Sequence, residues 1–156
     1  MFRGASSINL DAKGRIAIPV RYREALRDHQ DPAMAGHLVL TVDIKSACLL
    51  LYPLWEWNKV EEKLFQLSDT QPTERALKRK LLGYAHELEL DSNGRILLPP
   101  PLRQYAGLNK KAMLVGQFNK FELWDEQSWM QQIADDQQVI QETELDANER
   151  LADFSL

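Results

Sequence analysis

Asp11, Gly14 and Arg15 stand in the run Leu10-Asp11-Ala12-Lys13-Gly14-Arg15-Ile16-Ala17-Ile18-Pro19. The same three types return as Asp91, Gly94 and Arg95 in Leu90-Asp91-Ser92-Asn93-Gly94-Arg95-Ile96-Leu97-Leu98-Pro99. Six of the ten positions are identical, at an offset of 80, which marks an internal duplication. An aspartate can accept backbone amides two residues on and so start a turn, and glycine supplies the positive φ that a tight hairpin needs. An arginine four residues after the aspartate can close back on it as an ion pair. Equally, the turn can carry Arg15, with Lys13 beside it, outward to a phosphate or a base edge. Both uses stay open at the level of sequence. The other chemistry that paired aspartates suggest is a shared proton, as in aspartic proteases. The hydroxyl-residue–glycine pair that such sites need directly after the aspartate is missing, since Asp11 is followed by Ala12-Lys13 and Asp91 by Ser92-Asn93, and Lys13 would place a cation beside the shared proton. No enzyme is expected. There is no phosphate-binding glycine loop, and His29, His37 and His86 lack metal-ligand spacing with one another or with Cys48, so neither metal nor cofactor is expected.

The elements that must position these residues follow from the same runs. Short apolar strands at 8–10 and 88–90 enter each turn, a second apolar strand leaves it, and Pro19 or Pro99 opens a helix. The first helix runs to about Arg27, carrying Arg21, Arg23 and Arg27, with Tyr22, Ala25 and Leu26 at core-facing spacing. Those arginines read either as a solvated face or as an extension of the Arg15 site. The second copy keeps Arg23 as Arg103 but has Asn93 for Lys13, Pro101 for Arg21 and Gly107 for Arg27, so the first is the more basic. Strands are expected near 37–42, 47–52, 113–117 and 121–124, and helices over 53–67, 74–82 and from 125 to about 141. Gly83 is expected to end the second of these helices. Trp57, Val60, Leu64 and Leu67 make one apolar stripe, read as core or subunit interface, and Trp129, Ile133 and Val139 or Ile140 another that should face inward. Past the motif the repeat continues at an offset of 72, so the first half holds eight extra residues, placed by composition in the loop 28–36. Cys48 lies in an apolar run and reads as a buried, inert thiol.

A chain of 156 residues can bury a respectable core. No apolar run approaches the roughly 20 residues that span a bilayer. No secretion signal is read at the N-terminus, and one cysteine fits a reducing cytoplasm. The net charge of −4 is the wrong sign for a nucleic-acid binder, but its distribution is not. Residues 1–30 carry +3 and 71–111 carry +4, whereas 31–70 carry −3 and 120–156 carry −8. Positive charge sits on the two repeated units, and clustered Lys and Arg rather than a basic total neutralise phosphates. The acidic end, 142–156, with Leu145, Leu151 and Phe154 spaced along it, reads as a loosely docked helix, as a frayed solvated tail or as a competitor of DNA for the basic face.

Two Asp-x-x-Gly-Arg units, each followed by Pro and a short helix, resemble the MraZ family. The likeness extends to Met1-Phe2-Arg3-Gly4, to Leu49-Leu50-Leu51-Tyr52-Pro53 and to residues 115–124. The resemblance implies an α+β fold of two duplicated AbrB-like swapped-hairpin β-barrel halves related by pseudo-two-fold symmetry, with flanking helices. It divides the chain into a first module at 5–53, connecting helices at 54–82, a second module at 83–126, and a C-terminal helix with acidic tail at 127–156. It further implies a sequence-specific DNA-binding transcriptional regulator of the division and cell-wall gene cluster, cytoplasmic and nucleoid-associated. As a closed homo-oligomeric ring, the protein would bind tandem promoter boxes. The DNA-binding residues expected are Arg15, Lys13, Arg3, Arg21, Arg23, Arg95 and Arg103. The competing readings are an antitoxin-like module that docks a protein through its C-terminal tail, and a purely structural ring.

Overall fold

The computed structural model describes residues 1–154 and 156. It divides into a unit at Met1–Asp125 and a unit at Glu126–Leu156. The first holds strands β1 (Ala5–Asn9), β2 (Arg15–Ala17), β3 (His37–Val42), β4 (Leu49–Pro53), β5 (His86–Glu89), β6 (Arg95–Leu97), β7 (Lys111–Gly116) and β8 (Phe121–Asp125). Its helices are α1 (Val20–Arg27), α2 (Leu54–Phe65), α3 (Pro72–Gly83) and α4 (Pro100–Tyr105). The strand, turn, strand, helix order expected of each repeat is present in both.

All strand pairs are antiparallel, so the mixed α+β class holds, but the sheet is open rather than a closed barrel. Six strands run in the order β1-β7-β8-β4-β3-β5, and β2 and β6 form a separate two-stranded ribbon. The ladder cannot close because β1 and β5 end it on opposite edges, while the strands that follow them leave for the ribbon.

The central strands β3 and β4 are buried on both faces, and their side chains alternate between two cores. Leu38, Leu40 and Val42 of β3, with Leu49 and Leu51 of β4 and Phe121 and Leu123 of β8, face the main core. That core is roofed by Ile16 and Ile96 of the ribbon, Tyr22 and Leu26 of α1, and Leu102 of α4. The alternate residues Val39, Leu50 and Tyr52 face the other way and are covered by Trp57 and Leu64 of α2, with Val60 and Leu67 packed alongside. The apolar stripe read on this helix is therefore core. Thr41, fully buried, donates its hydroxyl to the Leu81 carbonyl of α3 at 2.7 Å, which satisfies the polar group on that face. Cys48 is buried and inert, its thiol pushed well above the usual range by that burial.

Three expectations need correction. Ala25 is exposed, because α1 needs only Tyr22 and Leu26 to reach the core. Gly83 ends α3 as expected, though without the positive φ of a left-handed cap. The eight extra residues are not all in the loop 28–36. His37 faces Glu89 and Lys111 faces Asn9, so the offset is already 74 at the start of β3. Six residues thus precede β3, and the other two lengthen the loop between β3 and β4. In the second unit, α5 (Glu126–Glu142) presents Ile133, Val139 and Ile140 to solvent, since no residue of this helix is buried. A single 3₁₀ turn at Leu145–Ala147 follows it.

Candidate nucleic-acid interface

Each turn is built by its aspartate. Asp11 Oδ1 accepts the backbone amides of Lys13 and Arg15, both at 2.9 Å, and the Gly14 amide donates to the Asp11 carbonyl at 3.0 Å. Gly14 sits at φ +83, a conformation that favours glycine. The second copy repeats this with Asn93 at 2.9 Å, Arg95 at 2.8 Å and Gly94 at φ +74. Arg15 Nε then closes on Asp11 Oδ2 at 2.7 Å, and Arg95 Nε on Asp91 Oδ2 at 3.1 Å. The ion pair read from the spacing is present twice.

These contacts lower both aspartate pKa values. For Asp11 the main cause is the hydrogen bond from the Arg15 amide, joined by the Arg15 side chain and the Lys13 amide, and together they outweigh partial desolvation. For Asp91 the Arg95 amide leads in the same way. A shared-proton pair requires one carboxyl to be raised. Asp11 and Asp91 are instead both lowered, each bonded within its own turn. Among the described residues no group of three or more His, Cys, Asp or Glu is placed to hold a metal ion.

The ion pair uses only Nε of each arginine. Their terminal amino groups take no acceptor among the described residues, and the side chains of Arg15 and Arg95 are 29% and 32% exposed. The reason lies in the ribbon. Arg15 pairs with Leu97, Ile16 with Ile96 and Ala17 with Arg95. Ile16 and Ile96 point into the core at 1% exposure, so Arg15, Ala17, Arg95 and Leu97 all stand on the outer face. The two arginines lie diagonally across this face, with Lys13 on the exposed turn ahead of Arg15.

The remaining expected residues divide into two groups. Arg23 and Arg103 each cross to the turn of the other copy. A Cβ on Gly94 would fall 2.1 Å from Arg23 Nε, and one on Gly14 would fall 2.5 Å from an Arg103 Nη. Arg23 Nε donates to the Ile18 carbonyl at 2.6 Å, whereas Arg103 Nε is buried without a hydrogen-bond partner. Arg27, outside the expected set, also clamps the second turn through the Asp91 carbonyl at 2.7 Å. Arg3 and Arg21 gather elsewhere, around the start of β1. Arg21 donates to Ser6 Oγ at 2.7 Å and lies over the Tyr22 ring at 4.7 Å, and the Tyr22 hydroxyl donates to the Arg3 carbonyl. Leu97, at an unmatched position of the repeated run, stands on the same outer face. Its only signal is the alternation in β6, where one aliphatic residue falls on the side opposite Ile96.

The outer face of the ribbon can do one thing chemically. It can offer two guanidinium forks, already oriented by carboxylates, to acceptors of matching spacing.

The chain matches the family model described as "MraZ protein, putative antitoxin-like" twice, over residues 1–80 and 81–153. It is 71% identical to a protein of Shewanella baltica strain OS185 over 157 aligned positions, covering the whole of both chains. Over the same full span it is 71% identical to one from Shewanella sp. strain MR-7 and 70% to one from Shewanella putrefaciens. All three relatives are named transcriptional regulator MraZ.

Proposed function

This chain belongs to the MraZ family, and on that premise we propose that it is a transcriptional regulator that reads double-stranded DNA with the outer face of the β2–β6 ribbon. The observation that carries this reading is the pairing of Arg15 with Leu97 and Ala17 with Arg95 above a buried Ile16–Ile96 pair. Paired strands lie about 4.8 Å apart, and B-DNA's major groove, about 12 Å wide, admits a two-stranded ribbon. Arg15 and Arg95 then take guanine edges bidentately. Lys13, Arg3 and Arg21 neutralise phosphates, and Arg23 and Arg103 hold the turns while adding positive charge beside them.

The strand order supports two AbrB-like swapped-hairpin halves related by a pseudo-two-fold axis. Exchanging β1 with β5, β3 with β7 and β4 with β8 maps β1-β7-β8-β4-β3-β5 onto its own reverse. The Ile16–Ile96 and Leu50–Glu122 pairs then lie on the axis. In this reading the modules are 5–53 and 83–126, joined by helices at 54–82 and followed by 127–156.

One such face neutralises few phosphates. We infer a closed homo-oligomeric ring, cytoplasmic and nucleoid-associated, that gains affinity by engaging tandem boxes upstream of the division and cell-wall genes. In the test, Arg15→Ala that assembles normally loses operator binding, and more of it than Arg95→Ala, because Lys13 has only Asn93 as its counterpart. Normal binding by an assembled Arg15→Ala protein would remove the mechanism. A second reading, an antitoxin-like docking module, draws on the family description and on the exposed Met130, Ile133, Val139 and Ile140 of α5. A protein partner that co-purifies without DNA, and is lost on truncating the tail, would favour it.

A further inference from the structure

On the outer face of the ribbon the charged residues repeat between the copies but the apolar ones do not. Opposite Arg95 stands Ala17, whose methyl barely clears the backbone; opposite Arg15 stands Leu97, 55% exposed. An aliphatic side chain held in water between two arginines contributes nothing to the core, which Ile16 and Ile96 already close from beneath. Leu97 also cannot swing away, because it sits in a ladder flanked by the buried Ile96 and Leu98.

We propose that Leu97 is a specificity-determining residue that packs against the 5-methyl group of a thymine next to the guanine taken by Arg15. This rests on the DNA-reading role of the ribbon proposed above. Directly opposite residues of an antiparallel pair hold their Cβ atoms about 4.5–5.5 Å apart, and successive bases of one strand rise about 3.4 Å. A side chain opposite Arg15 therefore meets a base one or two steps from the one Arg15 reads. In the major groove thymine alone presents a methyl group at its base edge, so an aliphatic probe favours that base. The short Ala17 leaves the Arg95 end without an equivalent contact. The two ends of the ribbon consequently read unequal steps, which gives each box a direction although the ribbon backbone is nearly symmetric.

The test uses the full-length assembled protein and the tightest duplex it selects from a random pool. Each thymine within two steps of a guanine whose contact depends on Arg15 is replaced, one at a time, by deoxyuridine, which removes only the methyl. Wild-type protein should lose about three- to fivefold in affinity at one of these positions. Leu97→Ala should bind the thymine and uridine duplexes equally, with unchanged assembly mass and an unchanged slope of affinity against salt. Equal binding of both duplexes by the wild type, or undiminished discrimination by Leu97→Ala, would overturn the assignment while leaving the Arg15 mechanism intact. A changed subunit count in Leu97→Ala would overturn it too, by marking Leu97 as a contact between copies. Selection of no duplex at all would sink the DNA-reading role itself.

Discussion

Asp11 shapes its turn through Oδ1, while Oδ2 orients the guanidinium that the turn presents. Asp91 divides its two oxygens in the same way. Folding and the proposed recognition of DNA would therefore share these carboxylates, and both would depend on their ionisation. Because the native state holds both pKa values below their ordinary ones, the unfolded chain takes up protons first as pH falls. Their contribution is complete above the ordinary Asp range, near pH 4, and is lost as pH drops through that range and on through the lowered native values. Thermal melts against pH should show Asp11→Asn less stable than wild type at neutral pH, with a shallower decline on the acid side. Parallel acid limbs would contradict this. At the partner residue, Arg15→Lys keeps the charge and loses the fork. It should retain non-specific DNA binding and lose roughly 5- to 100-fold in discrimination between operator and unrelated duplex, read by competition binding.

At the scale of elements, each turn leans on a helix from the other copy, and the two supports are unequal. The second turn receives Arg23 across Gly94 together with its bond to Ile18, and Arg27 on the Asp91 carbonyl. Among the described residues the first turn receives only Arg103, whose Nε has no hydrogen-bond partner, because Gly107 stands where Arg27 stands in the first copy. Gly94→Ala should therefore cost about 2–3 kcal/mol, from left-handed strain and loss of the Arg23 bond. Gly14→Ala should cost about 1–2 kcal/mol, from strain alone. Chemical denaturation of the two variants measures the difference, and equal costs would mean that the arginines are bystanders. These supports show which part of the fold the sequence could reveal. The turns, the helices opened by proline and the inward Trp57 stripe carry local signatures, and each was legible from spacing. Pairing of β1 with β7, β3 with β5 and β2 with β6 joins residues far apart in the chain, and no local propensity encodes it. So Arg21, Arg23 and Arg27 looked like one basic face, when two of them brace a distant turn and the third binds Ser6. The exposure of Leu97 was invisible for the same reason, since it is set by which strand lies beside β6.

For the whole molecule, the charge segregation of the sequence gains a place in the fold. Lys13, Arg15, Arg23, Arg27, Arg95 and Arg103 stand on the ribbon or at its turns, while the helix and tail from Glu126 onward carry eight acidic residues against the single basic Arg150. Binding through the ribbon should weaken steeply with salt, because phosphate neutralisation releases counterions. A ring that repeats the face should also bind two or more correctly spaced boxes far better than one, by about 100-fold or more if both sites are spanned together. Comparable affinities for one box and several, measured beside the mass of the assembly, would remove the multivalent part. The most direct measurement of the central claim is a DNA titration with Arg15→Ala/Arg95→Ala, assembly mass and melting temperature being monitored on the same sample. With both guanidiniums gone from the outer face, operator affinity should fall to the level of unrelated DNA while the assembly stays whole. Operator preference retained by that intact double variant would contradict it.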